Sequence, residues 1–271
     1  MTAHEPLPVF LHISKCAGHT VRSLLHGNYA GRPSIDNIIR GALSVNGQAK
    51  VPASGDEDVA LLVAEIRARQ DDLAFVATTL SYGVHHFLDR PVSYFTLLRD
   101  PVERCVSYWY FAHRVRATHP AWSLFEAHGF DLERILASVD GIHLCNQQTR
   151  AVSGTCRIDV GPEELQLAKE RIENDFAFVG TVERFEDSVR ELAEIFGWRH
   201  LFSPALHVGD KSDAGLLPPR AREIFTRANL VDLELYRWFV EEYLPRRGGR
   251  EKAERHTDQA FATAGNGTTG F

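Results

Sequence analysis

The sequence predicts an α/β fold built on a central parallel sheet. Four short apolar runs, at residues 8–13, 74–78, 93–98 and 176–180, have the length and composition of buried strands. Helical patterns separate these runs, which is typical of the βαβ crossovers that join parallel strands. With 271 residues and 44% apolar content, the chain can bury one full core. We therefore expect a single domain over residues 1–245.

Five helices are predicted from apolar residues at helical spacing. They cover residues 57–69, 101–117, 162–174, 184–196 and 229–244. Asp56, Pro162 and Asn229 mark helix starts, and Gly197 marks a helix end.

The remaining segments are predicted as loops or as a tail. Residues 28–55 and 202–219 are rich in Gly, Pro, Ser and Asp, and we expect loops there that could cover a substrate. Residues 246–271 are charged and then rich in Gly, Thr and Ala, so this tail is expected to be disordered.

A first anion-binding motif follows the first predicted strand, in the stretch VFLHISKCAGHT that ends at Thr20. The N-terminus of a helix presents free N–H groups and a positive dipole end, which favour an anion. Gly18 allows close approach of the backbone, and Thr20 adds a hydroxyl donor. An ATP-binding P-loop would carry its Lys after the glycines. Lys15 comes before Gly18, so an ordinary ATP or GTP site is not predicted.

A second motif follows the predicted strand at 93–98, in the stretch YFTLLRDPVERCVS that ends at Ser107. Asp100 is a good N-cap, and Pro101 suits the first helical position. Ser107 then lies about 9 Å along the helix, where its hydroxyl could join the Arg99 guanidinium on one phosphate. Alternatively, Arg99 pairs with a nearby carboxylate such as Asp100. The two motifs together suit a nucleotide with phosphates at both ends.

Both motifs resemble those of the PAPS-dependent sulfotransferases. FLHISKCAGHT is similar to their 5′-phosphosulfate loop, and YFTLLRDPVERCVSYW to their 3′-phosphate motif. The stretches CNQQTRAVSG and FAFVGTVERFEDSVRELAEIFGW extend the resemblance over most of residues 8–244, nearest to the branch of heparan sulfate 2-O- and 6-O-sulfotransferases and their bacterial relatives. Ser14, Cys16 and His19 depart from the usual first motif. The resemblance implies a P-loop-like three-layer fold, PAPS as sulfuryl donor and PAP as product.

The resemblance also implies roles for individual residues. Lys15 would stabilise negative charge on the leaving phosphosulfate oxygen. The 5′-phosphate would be held by Cys16, Ala17, Gly18, His19 and Thr20. Arg99 and Ser107 would hold the 3′-phosphate. Gln147 and Arg150 would line the cofactor or acceptor pocket, or else brace a loop.

The general base is where this chain departs from the family. The branch usually places a Gly-His pair before the second motif, and Thr78 and Thr79 stand there instead. A threonine hydroxyl cannot act as a base near neutral pH. We expect His85 to replace the missing imidazole if a helical turn carries it back over the acceptor pocket. Other candidates are His86, His19, His12, a Glu, or an acceptor that ionises without help. Thr79, Tyr82 and His86, with Gln147 and Arg150, are candidate acceptor-binding residues.

Composition narrows the class of protein. A net charge of −6 argues against nucleic-acid binding. We expect a cytoplasmic enzyme, because no run of 18 apolar residues and no signal sequence is present. The four cysteines form no C-x-x-C pair, and no metal is expected. Cys145 and Cys156 are either reduced or paired, and Cys16 is either a small loop residue or a helix-activated thiolate.

Two functions remain open from the sequence. One is an active sulfotransferase acting on a small metabolite or saccharide. The other is a PAPS- or PAP-binding protein that lost catalysis together with its histidine.

Overall fold

A five-stranded, all-parallel sheet forms the centre of the computed structural model, which describes residues 5–37, 56–115, 120–155, 157–201 and 217–247. The strands are β1 (Leu7–Leu11), β2 (Ser34–Asn37), β3 (Phe75–Thr78), β4 (Val92–Leu98) and β5 (Phe176–Thr181), in the order β2-β3-β1-β4-β5. The predicted α/β fold with a parallel sheet is confirmed.

Ten α-helices occur in the described part of the chain. They are α1 (Gly18–Asn28), α2 (Asp56–Arg69), α3 (Pro101–Val115), α4 (Pro120–Ala127), α5 (Leu132–Ala137), α6 (Gln147–Ser153), α7 (Pro162–Asn174), α8 (Phe185–Phe196), α9 (Ala221–Ala228) and α10 (Leu230–Trp238). Short 3₁₀ turns cover Val84–Phe87, Val139–His143 and Val182–Arg184, and a π-helical turn at Phe239–Tyr243 extends α10.

Apolar side chains cover both faces of the sheet, which makes the fold three-layered. Phe10, Phe95 and Phe178 pack on one face in a cluster that includes α1, α7 and α10 residues. Val9 and Tyr94 pack on the opposite face, in a cluster that includes α2. The alternation follows from the period of two along a strand. Burial on both faces explains why these strands read as continuous apolar runs.

The predicted helix ends are confirmed where a capping residue marks them. Asp100 Oδ1 accepts a hydrogen bond from the N–H of Glu103 at 2.9 Å, so α3 begins at Pro101. The N–H of Gly161 donates to Glu164 Oε2 at 2.8 Å at the start of α7. Gly197 ends α8 with a left-handed φ of 65°.

Several elements differ from the prediction. β2 lies inside the predicted loop 28–55, because Ile35 is the one apolar residue of this edge strand. Helices α4, α5, α6 and α9 are not predicted from the sequence. Asp56 is inside α2, not before it, and the predicted helix 229–244 is divided between α10 and the π-helical turn. Residues 38–55 and 202–216, which include most of the predicted covering loops, lie outside the described residues.

Helix α3 packs away from the sheet. Its buried residues Cys105 and Trp109 form a separate core with Phe125, Ile135 and Phe225, which belong to α4, α5 and α9. This second core anchors α3 from the outside, so its other face is available to the loops at the carboxyl edge of the sheet.

The described residues continue to residue 247, two beyond the predicted domain boundary at 245. Arg246 pairs with Glu173, and Arg247 pairs with Glu191. The rest of the predicted tail, residues 248–271, lies outside the described residues. Within the described ranges, no helix has the length and apolar character needed to cross a membrane.

Candidate functional site

The two predicted anion-binding motifs meet at the carboxyl edge of the sheet. β1 and β4 are adjacent and parallel, with Leu7 opposite Val92 and Phe10 opposite Phe95. The chain leaves β1 toward β2 and leaves β4 toward β5, in opposite directions along the sheet. A crevice at such a switch point is the usual ligand site of open α/β sheets. Across it, Arg99 Nη1 donates to the carbonyl of Lys15 at 3.0 Å.

The loop after β1 owes its shape to two left-handed residues and one glycine. Lys15 and Ala17 have φ values of 68° and 56°, which side chains rarely adopt. Gly18 then begins α1, and the His12 ring packs against it. A Cβ at Gly18 would lie 1.9 Å from His12 Cδ2 and Nε2, so only glycine fits. The loop is therefore shaped around His12.

The other residues of this loop differ in exposure. His19 is exposed, whereas Cys16 and Thr20 are buried at the start of α1. Burial raises the pKa of Cys16 to about 12, so the thiolate alternative is wrong and Cys16 is a small loop residue. Its Sγ lies 3.8 Å from Gln148 Oε1.

The Lys15 ammonium lies over an aromatic ring of α3. Its Nζ is 4.2 Å from the centroid of Phe111. Burial lowers the pKa of Lys15 to about 8, and the charges of Arg114 and Arg99 lower it in the same direction. The group therefore remains mainly protonated at pH 7 but is poorly compensated, which suits it to an incoming anion.

The Gln148 side-chain amide holds the Arg99 backbone in place. Its Oε1 accepts from the N–H of Arg99, and its Nε2 donates to the carbonyl of Arg99, both at 2.8 Å. The backbone N–H groups of Gln148 and Thr149 donate to the buried carboxylate of Asp232 at 3.0 and 2.7 Å. Asp232 on α10 thus orients α6, and α6 orients Arg99.

The expected alternative for Arg99, pairing with Asp100, is not what the structure shows. The Asp100 carboxylate caps α3, and the Asp100 N–H donates to Glu183 Oε1 at 3.0 Å. The Arg99 guanidinium instead turns toward the Lys15 loop.

Ser107 lies on the face of α3 that approaches Lys15. Residues four apart share one side of a helix, so Ser107, Phe111 and the following Arg114 line up along α3. Phe111 contacts Lys15, and Arg114 acts on its pKa. The structure therefore brings Lys15 and Arg99 together at the crevice, and Ser107 shares the α3 face whose Phe111 contacts Lys15.

Gln147 and Arg150 brace the chain before α6. Gln147 Oε1 accepts from Arg104 Nη1 at 2.7 Å. Arg150 Nη2 donates to the carbonyl of Cys145 at 2.9 Å and to that of Ile142. These contacts favour the loop-bracing alternative. The residue that reaches the crevice is Gln148, which an N-x-Q-x-R pattern counted from Asn146 would have selected.

His85 and Tyr82 are not brought to Lys15. The Tyr94 hydroxyl lies 3.0 Å from His85 Nδ1 and accepts from the His85 N–H at 2.9 Å. Tyr94 is four residues before the end of β4, about 13 Å from the carboxyl edge at 3.3 Å per residue. Tyr82 donates to Asp175 Oδ2 at 2.8 Å, just before β5 begins. These contacts hold His85 at Tyr94, and none of them places it over the crevice beside Lys15 as expected.

Burial and neighbouring groups shift the pKa values of His85 and Tyr94. Burial and the neighbouring His86 lower the pKa of His85. His86 follows it at a ring separation of 4.0 Å in the same 3₁₀ turn. Burial also raises the pKa of Tyr94 to about 12. The predicted acceptor roles of Tyr82 and His86 thus have no geometric support at the crevice.

His12 is a candidate histidine that lies at the carboxyl edge. Leu11 is opposite Thr78, and the His12 N–H donates to the Thr78 carbonyl at 2.8 Å, which places His12 beside Thr79. Its Nδ1 is buried without a hydrogen-bond partner among the described residues. Burial and the charge of Arg22 lower the pKa of His12 to about 4, so its ring is neutral at pH 7.

Neither protein-family models nor curated proteins match this chain. Within the described ranges, no group of three or more His, Cys, Asp or Glu side chains could hold a metal ion. Of the two cysteines considered for a bridge, Cys145 is a free thiol and Cys156 lies outside the described residues.

Proposed function

We propose that this chain is a PAPS-dependent sulfotransferase that moves a sulfuryl group from PAPS to a hydroxyl or amine of a small metabolite or saccharide and releases PAP. One observation carries the proposal. Arg99 Nη1 contacts the Lys15 carbonyl, so the two motifs that resemble the 5′- and 3′-phosphate elements of that family are joined across one crevice.

In this proposal some residues bind the phosphates of PAPS, and Lys15 acts on the transfer step. The turn at Ala17 to Thr20 offers the N-terminus of α1 to the 5′-phosphate. Arg99 and Ser107 take the 3′-phosphate, which ADP and ATP lack. Lys15 stabilises charge that develops on the bridging oxygen as its bond to sulfur breaks. The acceptor oxygen or nitrogen forms the new bond to sulfur, and its proton leaves to a base or to water.

The identity of the base separates two versions of this function. His85 is held at Tyr94, and Thr79 stands where the family has its histidine. These placements favour either an acceptor that ionises without help, such as a phenol, or a protein that binds PAPS or PAP without transfer. In both versions we place the protein in the cytoplasm, acting without nucleic acid or metal.

Calorimetry with PAP, ADP and AMP tests the site. We expect PAP to bind much more tightly than ADP, and Arg99→Ala to remove most of that difference, because a hydrogen bond to a charged group contributes about 1.5–3 kcal/mol. Equal affinities for PAP and ADP would refute the assignment. A screen of phenols, sugars and amines for the mass increase of one sulfuryl group then separates the enzyme from the binding protein.

A further inference from the structure

Groups from three elements shift the pKa of Lys15, and none of them is an anionic partner for its ammonium. Arg99 at the end of β4 and Arg114 on α3 both repel it. Cys16, in its own loop, is neutral at pH 7 because burial raises the pKa of its thiol to about 12. Among these groups that shift the Lys15 pKa, none is a carboxylate.

The Lys15 ammonium contacts the aromatic ring of Phe111, not a carboxylate. The face of an aromatic ring attracts a cation within about 6 Å of its centroid. The Lys15 Nζ lies 4.2 Å from the Phe111 centroid, well inside this range. Phe111 is itself held on α3, which the separate core around Trp109 and Phe125 anchors. The ring is therefore a fixed support for a side chain on a strained loop.

A ring and a carboxylate would affect the chemistry differently. A carboxylate would form a charge-assisted hydrogen bond with Lys15 and compete with the anion that the ammonium has to meet. An aromatic face is a weaker partner that keeps the ammonium protonated and fixed in direction but gives way to an oxyanion.

We propose that Phe111 is a positioning residue that holds the Lys15 ammonium at the crevice until the sulfuryl donor binds. The inference rests on the proposed function for its catalytic consequence, but the contact itself can be tested in the free protein. Phe111 touches Lys15 and not the reacting atoms.

Titration of Lys15 in the free protein tests the contact. Lysine side chains are ¹³C-labelled, and Lys15→Met assigns the Lys15 signal. Removing the ring by Phe111→Leu takes away a group that favours the charged form, so the Lys15 pKa should fall. Arg114→Gln is the matched control on the same face of α3. It removes a repelling charge, so the Lys15 pKa should rise.

Opposite shifts in the two variants support the inference. A rise of the Lys15 pKa in Phe111→Leu would show that the ring acts only by excluding water, and would overturn the proposal. Phe111→Tyr keeps an aromatic face and should restore the native titration. Circular dichroism identifies any variant that fails to fold, and Phe111→Tyr then decides on its own, since a native-like fold with a lowered Lys15 pKa would also contradict the proposal.

Kinetics separate this inference from the proposed function. With PAPS and an acceptor found by the screen, Phe111→Leu should reduce kcat about tenfold while the affinity for PAP changes little. Loss of PAP affinity together with unchanged kcat would contradict a positioning role. If the native protein fails to bind PAP at all, the proposed function is wrong while the Lys15 titration still stands or fails by itself.

Discussion

Substitution of Gly18 by alanine is the sharpest test of how the Lys15 loop is built. The new Cβ would lie 1.9 Å from His12 Cδ2 and Nε2 and 2.8 Å from Cε1. Carbon atoms in contact normally stay about 3.5–4.0 Å apart, so the ring would have to move by roughly 2 Å. Phe10 stacks on the same ring at a centroid distance of 5.8 Å and limits that movement.

The expected cost follows from two opposing effects. Overpacking in a filled site costs about 1–3 kcal/mol of unfolding free energy. Alanine in a helix gains up to about 1 kcal/mol over glycine. We expect Gly18→Ala to destabilise the protein by about 1–2 kcal/mol and to weaken PAP binding, because the loop that carries Lys15 is displaced.

Denaturation by urea, followed by circular dichroism, measures the change. Gly27→Ala is the matched control in the same helix, since its Cβ would lie 3.8 Å from His200 Cβ, an ordinary contact. That variant should be unchanged or slightly more stable. Combining Gly18→Ala with His12→Ala should recover much of the loss, with a coupling energy of about 0.5–3 kcal/mol. An equal loss with and without the His12 ring would refute the packing explanation.

Four further outcomes are expected. Gln148→Glu keeps the acceptor for the Arg99 N–H but loses the donor to its carbonyl, so PAP affinity measured by calorimetry should fall about tenfold or more. Lys15→Ala should abolish transfer while PAP affinity falls only moderately, and near-normal turnover with saturating PAPS would show that Lys15 has only a structural role. His85→Ala should leave turnover within about twofold, because His85 lies at Tyr94, and a loss of the 10²–10⁴-fold that is usual for a general base would contradict this placement. Burial lowers the pKa of His12 from an ordinary 6.5 to about 4, so the ring is neutral in the folded protein at pH 7. The unfolding free energy should therefore be at its full value above pH 6.5 and fall by up to about 3 kcal/mol as the pH drops toward 4. Urea denaturation at several pH values measures this slope, and His12→Gln should reduce it.

The strands that sequence patterns predict are those buried on both faces. β1 and the last five residues of β4 read as apolar runs because they are buried on both faces. β2 is short and carries Ser34, Asp36 and Asn37, and a polar edge strand leaves no apolar pattern to detect. Its pairing with β3 is a tertiary event that local propensity does not encode.

The sequence predicts those parts of the candidate site that depend only on where strands end and helices begin. The ends of β1 and β4 place Lys15 and Arg99 at one edge, and the Asp100 cap sets where α3 begins. The choice between Gln147 and Gln148 depends on the rotation of α6, which Asp232 sets from 84 residues further along the chain. Nearness to Thr79 in sequence suggests His85 as the base, but in the structure His85 is hydrogen-bonded to Tyr94.

The link from Asp232 through Gln148 to Arg99 couples the anion site to a helix that is distant in sequence. α10 supplies the carboxylate that orients α6. Tyr236 of the same helix donates to Glu183, which in turn holds the Asp100 N–H. Until α10 docks, the crevice between β1 and β4 lacks both supports of its Arg99 side. Anion binding at the crevice is therefore coupled to the docking of α10, and a bound anion stabilises only molecules in which this helix is in place.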